Sequence, residues 1–432
     1  MAKINFQLSE NVPYDRLLFL LGELLKNSKL KEKIQLRRFM MEELAIEKHL
    51  KISRKELFGK NKDFIEPLFQ KAYERMKPNE KMLFHIWQIV LPDANAFLEL
   101  LFKELFLAIP KGLPGVTFVS PERKYKLALT PNDRLFRSKL KALRKISCEE
   151  AWEISMGESA VVAVIDTGIF EGHPDINENL LKDEADNLIS DVFIDGESNP
   201  NINDTDGHGT HIAGTIAAIG NNGIGIIGVA PKAKILPIKV FNTVDGTESG
   251  NIANALYSAA ANPKVQIINN SWYFEGHDGV LENADDPALL VAIQVVISEK
   301  VICVFAAGNS GADISNYWLL KEPNTIVVGA TNLSDLKLGG TNYSKNLTIA
   351  APGAKITSLS LGLENEYYKD LNGTSMAAAH VSGALALYIS KNGGGRIHPS
   401  NIIPLFKDSN YSDQINSSLS CDFRLNCEKL LS

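Results

Sequence analysis

From Ala160 onward the chain repeats one pattern that leaves few folds open: a short, fully apolar run, then a stretch with helical periodicity. The apolar runs include VVAVIDTG, AKILPIKV, VQIINNSW, VICVFAAGN, TIVVGAT and LTIAAPG, and the stretches among them include HGTHIAGTIAAI, SGNIANALYSAAA and PALLVAIQVVISEK. A strand that is apolar on both sides must be covered on both sides, and strands joined through helices return in parallel. The pattern therefore predicts an α/β domain built on a mostly parallel sheet between helical layers. In such sheets the residues that carry chemistry gather at the carboxyl ends of the strands.

Three polar residues stand where such a sheet would present them. Asp166 ends the strand VVAVID before Thr167 and Gly168, so its carboxylate emerges at the sheet edge; an Asx-turn or helix cap would use the same residue. His208 lies in DTDGHGTHIAGTIAA, where Gly207 and Gly209 permit a tight turn directly before an apolar helix. His211 is the poorer candidate, because the pattern points it into the helix–sheet packing. Ser375 sits in LNGTSMAAAHVSGALALYIS, where a polar turn becomes a helix N-terminus whose unpaired N–H groups and positive dipole end would stabilise developing negative charge. Read singly, each has an ordinary structural use. Together, in the chain order Asp, His, Ser, they suit a serine whose proton is taken by an imidazole that a carboxylate orients.

Composition narrows the remaining possibilities. A chain of 432 residues, 45% hydrophobic and 22% charged, is ordinary for a globular protein and long enough for two domains. The N-terminus MAKINFQLSENVPYD lacks a basic patch followed by an apolar run, and AFLELLFKELFLAIP is broken by charges well short of a membrane span. A cytoplasmic protein with no membrane attachment is the expectation. The four cysteines, Cys148, Cys303, Cys421 and Cys427, do not have zinc-site spacing and are too few for a disulfide framework. Free thiols are expected, with a Cys421–Cys427 bridge as the alternative. The net charge of −6 divides into +10 over residues 1–150 and −16 over the rest. The basic residues alternate with acidic ones and form no Arg-rich tract, so no nucleic-acid partner is expected. A solvated helical surface and a basic half docked on the acidic half both fit the split.

From Tyr14 to about Ile109 apolar residues recur at helical spacing among strong helix formers, with breaks near Asn27–Ser28, Gly59–Asn61, Pro78–Asn79 and Pro92–Asp93. This predicts a separate all-α domain over residues 1–112. The texture changes at IPKGLPGVTFVSPERKYKL, so residues 113–131 are expected to be a linker containing a β-like run, GVTFVS, and residues 132–432 the second domain.

Residues from roughly Asn132 to Phe406 resemble the subtilases, the subtilisin-like serine peptidases. VVAVIDTGIFEGHPDI is similar to the family's Asp block, DGHGTHIAGTIAA to its His block and NGTSMAAAHVSGALAL to its Ser block. The resemblance implies a subtilisin-like three-layer domain and a serine endopeptidase acting on proteins or peptides through Asp166, His208 and Ser375. VFAAGNSG resembles the segment carrying the oxyanion asparagine, which implies Asn309 for that role, with Gly308 beside it in the cleft. IINNSW resembles the edge segment that pairs with an extended substrate, so Ser271 and Trp272 are expected to line the cleft. Two departures touch the pocket: Tyr273 stands where the family often has glycine, and Asn316, Tyr317, Trp318 and Leu319 stand where it has Tyr-Pro-Ala. Ala379 replaces a structural proline in the serine block. Asp175 and the loop 219–224, with Asn222, resemble the family's calcium-binding elements, so a structural calcium is implied, although the loop also reads as a plain glycine-rich turn. No cofactor is required for the chemistry. The acidic stretch 182–206 reads as a solvated loop.

Secreted subtilases usually carry a small α/β prodomain ending in a strand before the cleavage site. PGVTFVSPERKYKLALTPNDRLF looks like that ending, whereas the helical pattern before it does not fit. The N-terminal domain is accordingly expected to be regulatory or inhibitory, with a linker that can lie in the cleft and be cut, making the chain a self-processing zymogen. A competing expectation is that this domain recruits a protein partner. The alternative for the whole chain is a catalytically silent interaction protein on a subtilase scaffold.

Overall fold

The computed structural model describes residues 130–194, 201–242, 246–273, 286–362 and 366–432, together with the backbone of four strands upstream. It divides into two compact units, Met1–Lys126 and Leu127–Ser432. The first contains β1 (Ala2–Leu8), β2 (Gln35–Arg38), β3 (Ile86–Leu91) and β4 (Val116–Pro121), joined in the order β2-β3-β1-β4 with every pair antiparallel. The expectation of an all-α domain is thereby corrected. In AKINFQL, Ile4, Phe6 and Leu8 alternate with Lys3, Asn5 and Gln7, a period of two that suits a strand. IWQIVL of β3 is rich in β-branched and aromatic residues, and the polar run QLRR of β2 becomes a strand only through its partner β3. The β-like run foreseen in the linker is β4, paired with β1. The helices expected between these strands fall outside the described residues.

The second unit carries the α/β fold. Its strands are β5 (Val161–Asp166), β6 (Asp191–Val192), β7 (Lys234–Lys239), β8 (Ile267–Asn270), β9 (Ile302–Ala306), β10 (Ile326–Thr331), β11 (Ile349–Pro352), β12 (Ile356–Leu359), β13 (Tyr368–Leu371), β14 (Ser412–Gln414) and β15 (Phe423–Leu425). Nine of them form one sheet in the order β14-β15-β11-β10-β9-β8-β5-β7-β6, parallel throughout except for β14 on β15. The four long helices are α1 (His208–Ala217), α2 (Ser249–Ala261), α3 (Pro287–Ser298) and α4 (Thr374–Lys391).

The pleat of β5 shows why both sides must be covered. Val162 and Val164 enter one hydrophobic core with α1 and α4, while Val161, Ala163 and Ile165 enter a second with α2 and α3. Every residue of β5, β8, β9, β10 and β11 is buried. Successive crossovers place β7 on one side of β5 and β8 on the other, so β5 lies where the winding reverses and its carboxyl end opens into a crevice. The antiparallel pair β12–β13 leads directly into α4. Ala379, in the place of the expected proline, is buried within an uninterrupted α4. No described helix is long and apolar enough to cross a membrane.

Of the cysteines, all are buried as thiols. Cys427 meets Cys148, Sγ to Sγ 3.8 Å, rather than Cys421, whose thiol points to the Phe423 carbonyl.

Candidate active site

Asp166 closes β5 and is nearly inaccessible, at 2% exposure. Its Oδ1 accepts the Thr167 N–H at 2.8 Å and lies 2.8 Å from His208 Nδ1. His208 is the first residue of α1, held there by a turn at Gly207 with φ +95° and by its own N–H donating to Asp206 Oδ1. Gly209 allows the helix start to sit this close to the strand end, since a Cβ on it would fall 2.4 Å from the Gly168 carbonyl oxygen. Burial lowers the affinity of His208 for a proton, but the Asp166 carboxylate, by charge and hydrogen bond, and the charges of Asp206 and Asp204 outweigh it. The histidine therefore titrates above its ordinary range. Its Nε2 has no partner among the described residues.

Ser375 occupies the second position of α4 and is buried apart from 7% of its surface. Its hydroxyl donates to the Ser271 carbonyl at 3.0 Å, and Ser271 Oγ returns a bond to the Ser375 carbonyl, also 3.0 Å. Among the described residues no hydrogen bond joins Ser375 to His208. The sequence leads one to look for that bond, and this conformation has the serine turned to Ser271 instead. The oxygen needs only a side-chain rotation to leave that carbonyl, and such contacts commonly tighten only with substrate bound.

Asn309 follows β9. Its Oδ1 accepts the Thr374 N–H at 2.9 Å and the Thr374 hydroxyl at 3.2 Å, which fixes the amide and leaves Nδ2 as the unused donor beside the serine. Gly308 is tied to the same threonine, its N–H donating to Thr374 Oγ1 at 3.0 Å. Ser271 and Trp272 follow β8; Trp272 packs edge-on to Phe305 with ring centroids 5.6 Å apart. Tyr273 lies against Gly308. Asn316 is exposed, and no hydrogen bond links it to these residues.

His211 is buried as foreseen, its Nε2 facing the Ile356 and Lys369 carbonyls, and burial lowers its pKa to about 3. Asp204 departs from the reading of its stretch as a solvated loop. It is 3% exposed and accepts from the N–H groups of Asp206, Gly207 and Thr210 and from the hydroxyls of Thr167 and Thr210. One carboxylate thus ties the end of β5 to the turn that delivers His208, and against burial the hydrogen bonds from Gly207, Thr210 and Thr167 hold its pKa down.

Asp175 and Asn222 come together as expected, Asn222 Nδ2 donating to Asp175 Oδ1 at 2.6 Å. The Ile226 N–H and the Tyr368 hydroxyl reach Asp175 Oδ2. Sequence reading missed Asp133. It is buried, its Oδ2 takes the Asn221 N–H, and its Oδ1 is enclosed without a partner. Burial raises the pKa of both Asp133 and Asp175, and for Asp133 the neighbouring Asp175 charge adds to the rise. No group of three or more His, Cys, Asp or Glu suited to a metal occurs among the described residues. The two neighbouring buried carboxylates are nevertheless oxygen ligands of the kind a hard cation takes, and the Asn222 amide, which now presents Nδ2 to Asp175, would have to turn its Oδ1 inward to join them.

The sequence profile described as "Subtilase family" matches residues 157–410, well over half of the chain. The protein belongs to the subtilase family. It is 35% identical over 263 residues to thermitase of Thermoactinomyces vulgaris, spanning 61% of this chain and 86% of that sequence. It is 37% identical over 239 residues to subtilisin NAT of Bacillus subtilis subsp. natto, spanning 55% of this chain and 57% of that one. Among solved structures it resembles a protease from Pseudoalteromonas arctica with a TM-score of 0.61 at 25% identity, covering 70% of this chain and 99% of the other. As a subtilase it is a serine endopeptidase with the subtilisin-like α/β fold, its substrates are proteins or peptides, and its chemistry needs no cofactor.

Proposed function

We propose that this subtilase cleaves peptide bonds through an acyl-enzyme formed on Ser375, with His208 as base and then acid and Asp166 as its orienting carboxylate. The observation that carries the reading is the 2.8 Å contact of His208 Nδ1 with Asp166 Oδ1, which assigns the Nδ1 proton to the carboxylate side and leaves Nε2 to act as the base. Ser375 Oγ leaves the Ser271 carbonyl, gives its proton to Nε2 and bonds to the substrate carbonyl carbon. The oxyanion takes hydrogen bonds from Asn309 Nδ2 and the Ser375 N–H, strengthened by the positive end of α4. His208 then protonates the departing amine, and water, deprotonated by the same nitrogen, releases the acyl group. A substrate in extended form adds along the edge at Ser271 and Trp272, where backbone pairing supplies affinity.

A fluorophosphonate probe tests the assignment. The wild type is expected to be labelled, and Ser375→Ala and His208→Ala are expected not to be; labelling that persists in Ser375→Ala would sink it.

The N-terminal unit is proposed to restrain the enzyme until the linker after β4 is cut by the enzyme itself. An antiparallel sheet suits the small α/β prodomain of the family better than the helical module its composition suggests. Intact masses of wild type and Ser375→Ala decide: shortening confined to the wild type supports self-processing, and equal full-length masses under active conditions oppose it. For the cation cluster, calcium is the fitting ion; Asp133, Asp175 and the Asn222 side chain would hold it, and its contribution is structural.

A further inference from the structure

One face of β8 runs toward the nucleophile in steps of two residues. Ile267 enters the core that contains α4, Asn269 accepts the Ser382 hydroxyl of α4 at 2.8 Å, and Ser271 exchanges hydrogen bonds with Ser375 near the start of that helix. Trp272, on the alternate face, packs instead into the core beneath α2 and α3. Two residues of extended chain advance about 6.6 Å. The next residue in the series, Tyr273, follows one step beyond Ser271, the residue that exchanges hydrogen bonds with Ser375.

The neighbouring strand brings the other wall. β9 pairs in parallel with β8, Asn270 opposite Phe305, and continues through Ala307 and Gly308 to Asn309. A substrate carbonyl held between Ser375 Oγ and Asn309 Nδ2 must direct the side chain of its acyl residue into the space between these two strand extensions. The Tyr273 ring lies against the second of these extensions, at Gly308. A Cβ placed on Gly308 would meet the Tyr273 ring at 3.0 Å, from both Cγ and Cδ2, so the ring lies against bare backbone at Gly308. Gly308 is itself fixed by Thr374 and by the Asn342 N–H on its carbonyl, so this wall does not retreat readily.

We infer that the Tyr273 ring sets the size of the residue accepted on the acyl side of the scissile bond, and that the enzyme cuts after glycine, alanine or serine in preference to large apolar or aromatic residues. The inference rests on the peptidase reading above. Two fluorogenic peptides identical except for alanine or phenylalanine before the cleaved bond test it on the full chain, in wild type, Tyr273→Gly and Tyr273→Phe. The ratio of kcat/KM for the two peptides is independent of how much enzyme is folded. Wild type and Tyr273→Phe are expected to favour alanine by on the order of tenfold or more, as overfilling a packed pocket does, and Tyr273→Gly to raise cleavage after phenylalanine by a similar factor. A wild type that cuts after phenylalanine as well as after alanine, or a ratio unchanged in Tyr273→Gly, overturns the inference and leaves the catalytic assignment standing. Loss of fluorophosphonate labelling together with no turnover of either peptide in the wild type instead overturns the peptidase reading, and this inference with it.

Discussion

His208 can act as a base only when neutral, and the charges around it make neutrality harder to reach. Its pKa is raised because Asp166, Asp206 and Asp204 outweigh burial, so the acid limb of kcat/KM is expected above the ordinary histidine range. Asp206→Asn keeps the oxygen that accepts the His208 N–H but removes a charge, and should move that limb to lower pH; a pH–rate profile that does not move contradicts the assignment. Asp204 is a stronger test of positioning. Replacing it by Ala leaves three N–H groups at the His208 turn without their acceptor, at a cost of about 3 kcal/mol or more in stability by urea unfolding, with slower fluorophosphonate labelling of the folded fraction. The placement of Asp166 at a strand end and of His208 and Ser375 at helix starts was legible, because apolar strand and helix patterns fix where those elements begin and end. Asp204 was not, since an aspartate in an acidic run looks solvated. Its burial comes from donors on Thr167 and on residues 206–210 that only the folded turn gathers.

At the level of elements, α4 is a wall of the core as well as the carrier of Ser375, and polar contacts tie it to β8. Asn269, fully buried, donates to Ser271 Oγ at 2.8 Å and accepts from Ser382 at 2.8 Å, so one amide links the helix middle to the segment that touches Ser375. Asn269→Ala removes both bonds and opens a small cavity, an expected loss of roughly 2–4 kcal/mol in unfolding free energy with reduced kcat. Activity unchanged in the folded variant would mean that the link positions nothing. The alternation of apolar strands with helices made this α/β unit readable, because strands buried on both faces have no other arrangement. The strands of the first unit were obscured by their surroundings. β2 and β3 lie inside a stretch whose periodicity and helix formers read as a series of helices separated by short breaks, and pairing partners far apart in sequence decide between the two outcomes.

Across the molecule, the cluster at Asp175 is where distant parts of the catalytic unit are pinned to one another. Asp133 comes from its opening segment, Asp175 from the loop after β5, Asn222 and Ile226 from the loop after α1, and Tyr368 from β13, three residues before the polar turn that starts α4. Asp175 and the loop were legible through family resemblance. Asp133 was not, because nothing in LTPNDRLF marks an aspartate that folding brings against another carboxylate. Two enclosed carboxylates repel, and a divalent ion between them turns that repulsion into attraction, so calcium should bind the folded state alone. At a hundred times its dissociation constant such an ion adds about 2.7 kcal/mol. That corresponds to a rise in Tm of roughly 5 °C for a unit of this size. Scanning calorimetry with chelator and then with calcium restored should show the fall and its recovery, both diminished in Asp133→Asn. A Tm indifferent to chelator and calcium in the wild type would make the cluster a metal-free turn, with Asp175 held by Asn222, Ile226 and Tyr368 alone.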